Sequence, residues 1–215
     1  DRAFSQLTDA SGTDFEITGA RVELPLLVNL TEGQLTLEDG GTASVPVLSR
    51  IDGANFLVSG GVTLTLPSAT SYTHTGSGNA HRSLVAEGSG SRLALPNVEL
   101  VTGSTSYNDR LFIQAKAGGV VDLSRLRQIV DPTDGDTRYR SIDVLAEGVG
   151  SRVELDALSH YSDQYGTGFG DGLYSTLAAR SGGTVDIPSL TSVRGVNLEL
   201  DGTGTAQVGQ FTRFT

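Results

Sequence analysis

Cysteine, methionine and tryptophan are absent from this 215-residue chain, and lysine occurs once, at Lys116. Without cysteine there is neither a disulfide framework nor thiol chemistry. No apolar run is long enough to cross a bilayer, and no signal-peptide pattern opens the sequence, so a soluble chain without membrane insertion is expected. Basic residues are also scarce. Lys and Arg total 15 against 25 Asp and Glu, giving a net charge of −10 and a pI near 4.6. Binding to phosphates needs basic groups that displace counterions, so nucleic acid is not an expected partner. Ser-His-Asp spacing, a phosphate loop and a metalloprotease motif are all missing. The acidity, the single lysine and the richness in Gly, Ser and Thr predict a secreted or cell-surface location.

What the chain does have is a repeat. The stretch SGGTVDIPSL, Ser181 to Leu190, is echoed by RVELPLL ending at Leu27, TASVPVL at Leu48, TLTLPSA at Ala69, RLALPNV at Val98, VVDLSRL at Leu126 and RVELDAL at Leu158. A last copy, TAQVGQF, ends at Phe211. The positions equivalent to Pro188 are spaced 21, 21, 29, 28, 32, 32 and 21 residues apart. Self-similarity at such a period marks a solenoid.

Stacking the copies yields apolar columns. One runs Val22, Ala43, Leu64, Leu93, Val121, Val153, Val185 and Ala206; a second, two residues on, runs Leu24, Val45, Leu66, Leu95, Leu123, Leu155, Ile187 and Val208. The position between them is mostly polar, as in a strand with one buried face. A third column, Leu27 to Phe211, lies three residues past the second, with proline at a corner in most copies. Paired glycines upstream, such as Gly182 and Gly183, supply another corner. Each copy therefore predicts a strand, a glycine corner, a second strand, a proline corner and a return. About eight such coils at about 4.8 Å each would form a rod of roughly 38 Å, wound right-handed. A leucine-rich repeat shares the period but wants an Asn or Cys after its strand and a regular return, neither of which recurs here. Residues 122–130 alone would also fit a helix, which the alignment with the other copies overrides.

The uninterrupted repeat predicts one domain over 1–215, with 1–12 as an N-terminal cap and 13–215 as repeats. Coil eight ends at Phe214 and Thr215 without a polar cap, so a module of a larger protein, joined to other domains, is expected. Coils 3 to 6 carry long returns, at 70–83, 99–110, 127–141 and 159–175, all inserted at one corner. In repeat proteins such insertions stack on one face, often the binding face. All six tyrosines and all three histidines lie in these returns. Candidate ligand-binding residues are Tyr72, Tyr107, Tyr139, Tyr161, Tyr165 and Tyr174 with Arg82, Arg110, Arg138, His74 and His160. Tyrosine combines a flat apolar face with a hydroxyl, which suits sugar rings, and arginine can meet hydroxyls or uronic carboxylates. Exclusion of large polar side chains from a narrow core would also collect them there. Asp131, Asp134 and Asp136 offer hard oxygen ligands, making calcium the candidate cofactor, although an Asp-Gly turn explains the cluster equally well. Asp122, Glu154 and Asp186 form an outward carboxylate column. Its expected spacing suits a glycoside hydrolase, or else a solvated face neutralised by Arg152 or Arg180.

GGTVDIPSL and its copies resemble the right-handed parallel β-helix superfamily of bacterial extracellular and surface proteins. The resemblance covers about residues 13–215. It implies an all-β fold and admits polysaccharide lyases and hydrolases, adhesins and carbohydrate-binding modules. The catalytic Arg or Lys of the lyases, with its calcium-binding Asp cluster, finds no match in this sequence. The resulting expectation is a non-catalytic extracellular module that binds polysaccharide through the insert face. A structural or adhesive spacer is the alternative, and a polysaccharide-degrading enzyme the third reading.

Overall fold

In the computed structural model, which describes residues 2–163 and 173–215, every sheet is parallel and the chain is an all-β, right-handed parallel β-helix. An eight-stranded sheet forms the first face: Asp14–Thr18, Gln34–Glu38, Asn55–Val58, His81–Glu87, Arg110–Lys116, Ser141–Glu147, Ser175–Arg180 and Val196–Leu200. The second face is divided. Arg2–Ala3, Arg21–Glu23 and Thr42–Ser44 make a three-stranded sheet, and Thr63–Thr65 begins a six-stranded one ending at Thr205–Ala206. The third face is a six-stranded sheet from Ser71–Thr73 to Arg213–Phe214.

The register is the one the repeat predicts. Leu64, Leu93, Val121, Val153, Val185 and Ala206 pair in succession across the second face. The second column is shut off from solvent from Leu24 to Ile187, and only Val208, at its end, is exposed. Between the second and third columns the chain closes a turn: the amide of Leu27 donates to the carbonyl of Leu24, and that of Leu190 to Ile187. Proline follows the first residue of most of these turns, where a fixed φ near −65° is preset for the bend.

The paired glycines have separate jobs. At the corner before Thr184, Ser181 and Gly182 both take left-handed φ, 53° and 83°. Gly183 does not, but a Cβ there would lie 2.3 Å from the carbonyl oxygen of Ala146 on the preceding coil. One glycine thus supplies a backbone angle and the next supplies clearance, so both are required.

A further apolar column follows three residues after the third: Leu30, Ile51, Tyr72, Val101, Ile129, Tyr161 and Val193, all buried, and then Phe214. Tyr72 and Tyr161 are therefore strand residues facing the core, not insert residues. The N-terminal residues repeat the same geometry. Arg2–Ala3 pairs with Arg21–Glu23, Leu7 closes a turn onto Phe4, and the Phe4 ring meets Phe15 edge-on at 6.5 Å.

Candidate binding face

The inserts leave the third face and return to the first, so they border the outer surface of the eight-stranded sheet. They stack on one another. Asn79, Asn108 and Tyr139 occupy equivalent places in three successive inserts, each with a left-handed φ of 53–60°. The amide of Asn79 donates to the Tyr107 carbonyl at 2.8 Å, and that of Asn108 to the Arg138 carbonyl at 3.0 Å. The Asn108 side chain donates to the Asn79 side chain at 3.0 Å.

Buried charges clip this stack from below. Asp109 accepts from the Ala80 amide at 2.7 Å and from the Ser104 hydroxyl at 2.6 Å. Arg140, fully enclosed, donates to the carbonyls of Ser104, Asp134 and Pro132 and to the Asp131 carboxylate. Burial pushes the Asp131 carboxyl up to about 7; Asp163, beside it in the ladder, adds to this and Arg140 opposes it. His74 is buried as well, and desolvation brings its imidazole down to about 4.

On the outside, Tyr107 and Tyr139 meet edge-on at 5.6 Å, and the Arg138 guanidinium lies 5.2 Å from the Tyr107 ring centre. Arg138 is also forked onto Asp136, at 2.9 and 2.6 Å, and holds that carboxyl down to about 2.

Across the adjoining outer face of the eight-stranded sheet, alternate residues of each strand point outward and align in register. Leu57, Val85, Gln114, Leu145 and Ala178 form one line, and Asn55, Ser83, Phe112, Asp143 and Thr176 lie beside it. His81 approaches Phe112 edge-on at 5.8 Å, and the Arg110 guanidinium sits 4.9 Å from the centre of its ring. Arg110 in turn donates to Ser141 at 3.0 Å and Asp143 at 2.8 Å. A shallow cavity of about 190 Å³ opens here, bordered by Arg110, Phe112, Gln114, Asp143, Thr176 and Arg180.

Of the residues expected to bind, Tyr107, Tyr139, Arg138 and Arg110 gather around this face. The others are placed differently. Tyr72 and Tyr161 are core residues, because their short strands, Ser71–Thr73 and His160–Asp163, turn those positions inward; their hydroxyls donate to the carbonyls of Ala54 and Ile142. His74 is in the core too, and Arg82 stands at an inward-facing position, paired in the ladder with buried Leu111. His160 lies half-buried on the third face, and Tyr174 is half-buried just before Ser175–Arg180. Tyr165 falls outside the described residues. Among the described residues no group of three or more His, Cys, Asp or Glu side chains is arranged to hold a metal ion. Asp131 pairs with Arg140, and Asp136 with Arg138, so two of the three oxygen ligands suggested for calcium already face a cation.

No protein-family model matches the chain, and it matches neither a curated protein nor a solved structure. The geometry alone carries the functional argument.

The outward column of the second face is likewise paired. Asp122, Glu154 and Asp186 align in register; Arg92 donates to Asp122 at 2.7 Å and to Glu154 at 2.6 Å, while Arg152 holds Asp186. Burial raises the Asp122 carboxyl, but hydrogen bonds from Ser124 and Arg92 outweigh it and leave the group below its ordinary value. Arg180, the other expected neutraliser, pairs with Glu199 instead.

Phe112, Gln114, Asp143 and Thr176 escaped the sequence reading. The signal was present in RLFIQAK, Arg110 to Lys116, where a phenylalanine occupies an outward position between inward Leu111 and Ile113. The alternation puts that ring on the outer face of the sheet, where His81 and Arg110 pack against it.

Proposed function

We propose that this chain is a non-catalytic, extracellular polysaccharide-binding module, related in architecture to the β-solenoids of bacterial surface proteins. The observation that carries the reading is the row of outward groups in register around Phe112, on strands that begin where the stacked inserts bearing Tyr107 and Tyr139 end. A flat parallel sheet offers equivalent positions about every 4.8 Å, a scale on which successive sugar units of an extended chain can lie. Aromatic rings supply apolar contact with sugar faces, and Gln114, Asp143 and Thr176 supply hydrogen bonds that fix orientation. With few rings exposed, the expected affinity is modest, in the micromolar range. Nucleic acid is not a proposed partner, given the net charge of −10. Calcium has no role in the proposed binding.

The structural or adhesive spacer remains the second reading, favoured by the ion-paired column of Asp122, Glu154 and Asp186. An enzyme is less well supported, because a glycosidase acid needs a raised pKa and Asp122 is shifted the other way.

Affinity electrophoresis against plant and microbial polysaccharides tests the reading. The wild type should be retarded by at least one glycan, and alanine at Phe112 together with Tyr139 should abolish the retardation while leaving the melting temperature within a few degrees. If no polysaccharide retards the wild type, the module is a spacer.

A further inference from the structure

The charges around the cavity cancel in pairs. Arg110 is held by Asp143 at 2.8 Å, and Arg180 by Glu199. At the insert wall, Arg138 is held by Asp136 at 2.6 Å. Lys116, in the strand between, lies in register between Glu87 and Glu147. These pairs join residues the fold already fixes in place, most of them on neighbouring strands.

We infer that this face selects uncharged glycans and rejects polyuronates, an inference that rests on the polysaccharide reading above. A uronic carboxylate could reach the Arg110 or Arg180 guanidinium only by displacing a carboxylate of the chain itself. That carboxylate is already positioned, whereas the incoming one must be desolvated and ordered. The displaced group would then face the ligand as a like charge, on a protein whose net charge is −10. A neutral sugar meets no such conflict. Its hydroxyls donate to spare lone pairs of Asp143 or Glu199 and accept from free guanidinium N–H groups while each pair stays intact. The neutral groups Gln114 and Thr176 border the same space and can both donate and accept. The cavity, about 190 Å³, is smaller than the roughly 300 Å³ at which pockets begin to bury whole ligands. It takes one unit of a chain whose neighbours lie along the sheet.

The test is affinity electrophoresis at low ionic strength on a neutral β-glucan, a xylan and a mannan, with polygalacturonate as the charged probe. It is run on the wild type, Asp143→Asn, Glu199→Gln and the double variant. Glu199 is a surface residue, so its variant keeps the experiment readable if Asp143→Asn fails to fold. The wild type should bind a neutral glycan at least about tenfold more tightly than polygalacturonate, the scale set by one or two ion pairs. Each substitution frees a guanidinium and should strengthen retention by polygalacturonate, the double variant most. Wild-type binding to polygalacturonate as tight as to any neutral glycan overturns the inference and leaves the polysaccharide reading standing. Variants that gain nothing toward polygalacturonate also overturn it, because ion pairing then does not set the preference. Retention by none of the four probes overturns both.

Discussion

The Arg140 guanidinium lies 3.2 Å from the Asp131 carboxylate, with both side chains closed off from water. Two coils earlier, His74 is enclosed at the base of another insert. These buried titratable groups have opposite consequences for stability.

Asp131 takes up its proton at about 7 in the folded chain, against an ordinary value of 3.8. Its contribution is therefore fully present below pH 3.8 and is lost as the pH rises to about 7. His74 titrates at about 4 when folded and at 6.5 when unfolded, so its contribution is present above 6.5 and is lost as the pH falls toward 4. Arg140 and Asp163 face the first group; Asp109, Arg82 and His81 act on the second. The effects amount to about 4 kcal/mol for Asp131 and about 3 kcal/mol for His74 across the window, and in the wild type they largely offset. In urea titrations between pH 4 and 7, Asp131→Asn should lose stability on acidification and His74→Gln should gain it. Parallel pH profiles for the two variants would contradict the assignment.

Removing Arg140 is a harsher change. Arg140→Met leaves Asp131 without its cation and four acceptors without their donor, so a loss of about 3–5 kcal/mol is expected at pH 8. At pH 5, where Asp131 is protonated, the loss should be smaller. Equal losses at the two pH values would show that the guanidinium serves the carbonyls alone.

Tyr72→Phe and Tyr161→Phe each remove a hydroxyl that donates to a core carbonyl, Ala54 in the first case and Ile142 in the second. Each should cost about 1–2 kcal/mol in chemical denaturation and leave glycan retention untouched. Loss of retention without loss of stability would return these rings to the binding surface.

Gly183 and Gly40 separate the two functions of the glycine corner. Gly183→Ala drives a Cβ into the Ala146 carbonyl at 2.3 Å, while Gly40 has open space but a φ of 82°. The first should lower the urea midpoint by the equivalent of about 3 kcal/mol or more, and the second by about 1. Equal effects would mean that the coils can move apart.

The fold was legible because one register recurs in every copy. The apolar alternation, the proline turn and the double glycine each restate it, so local and long-range preferences agree. Binding residues carry no such redundancy. Tyr72 and Tyr107 looked alike because both stand in long returns, yet the first belongs to Ser71–Thr73, a strand too short for alternation to show. The missing clue was column-wise: Tyr72 and Tyr161 stand three residues after Ala69 and Leu158, where other copies hold Leu30, Ile51, Val101, Ile129 and Val193. Ion pairing was harder to read. Arg92 reaches Glu154, 62 residues away, across an intervening coil, and nothing in local spacing announces that.

In a parallel solenoid the ladder bonds between coils, such as that from Leu155 to the Asp186 carbonyl at 2.9 Å, point along the rod. A pull between the ends therefore stretches each bond along its own direction instead of shearing a row of them together. Coils should peel away one after another at low force, giving a sawtooth of small steps, longer where a coil carries an insert. Where the inserts are clipped by Asp109 and Arg140, adjacent coils are tied twice, so the middle of the rod should resist longest. Under tension this protein would act as an extensible tether with a firm central segment, releasing length gradually while the insert wall keeps its shape.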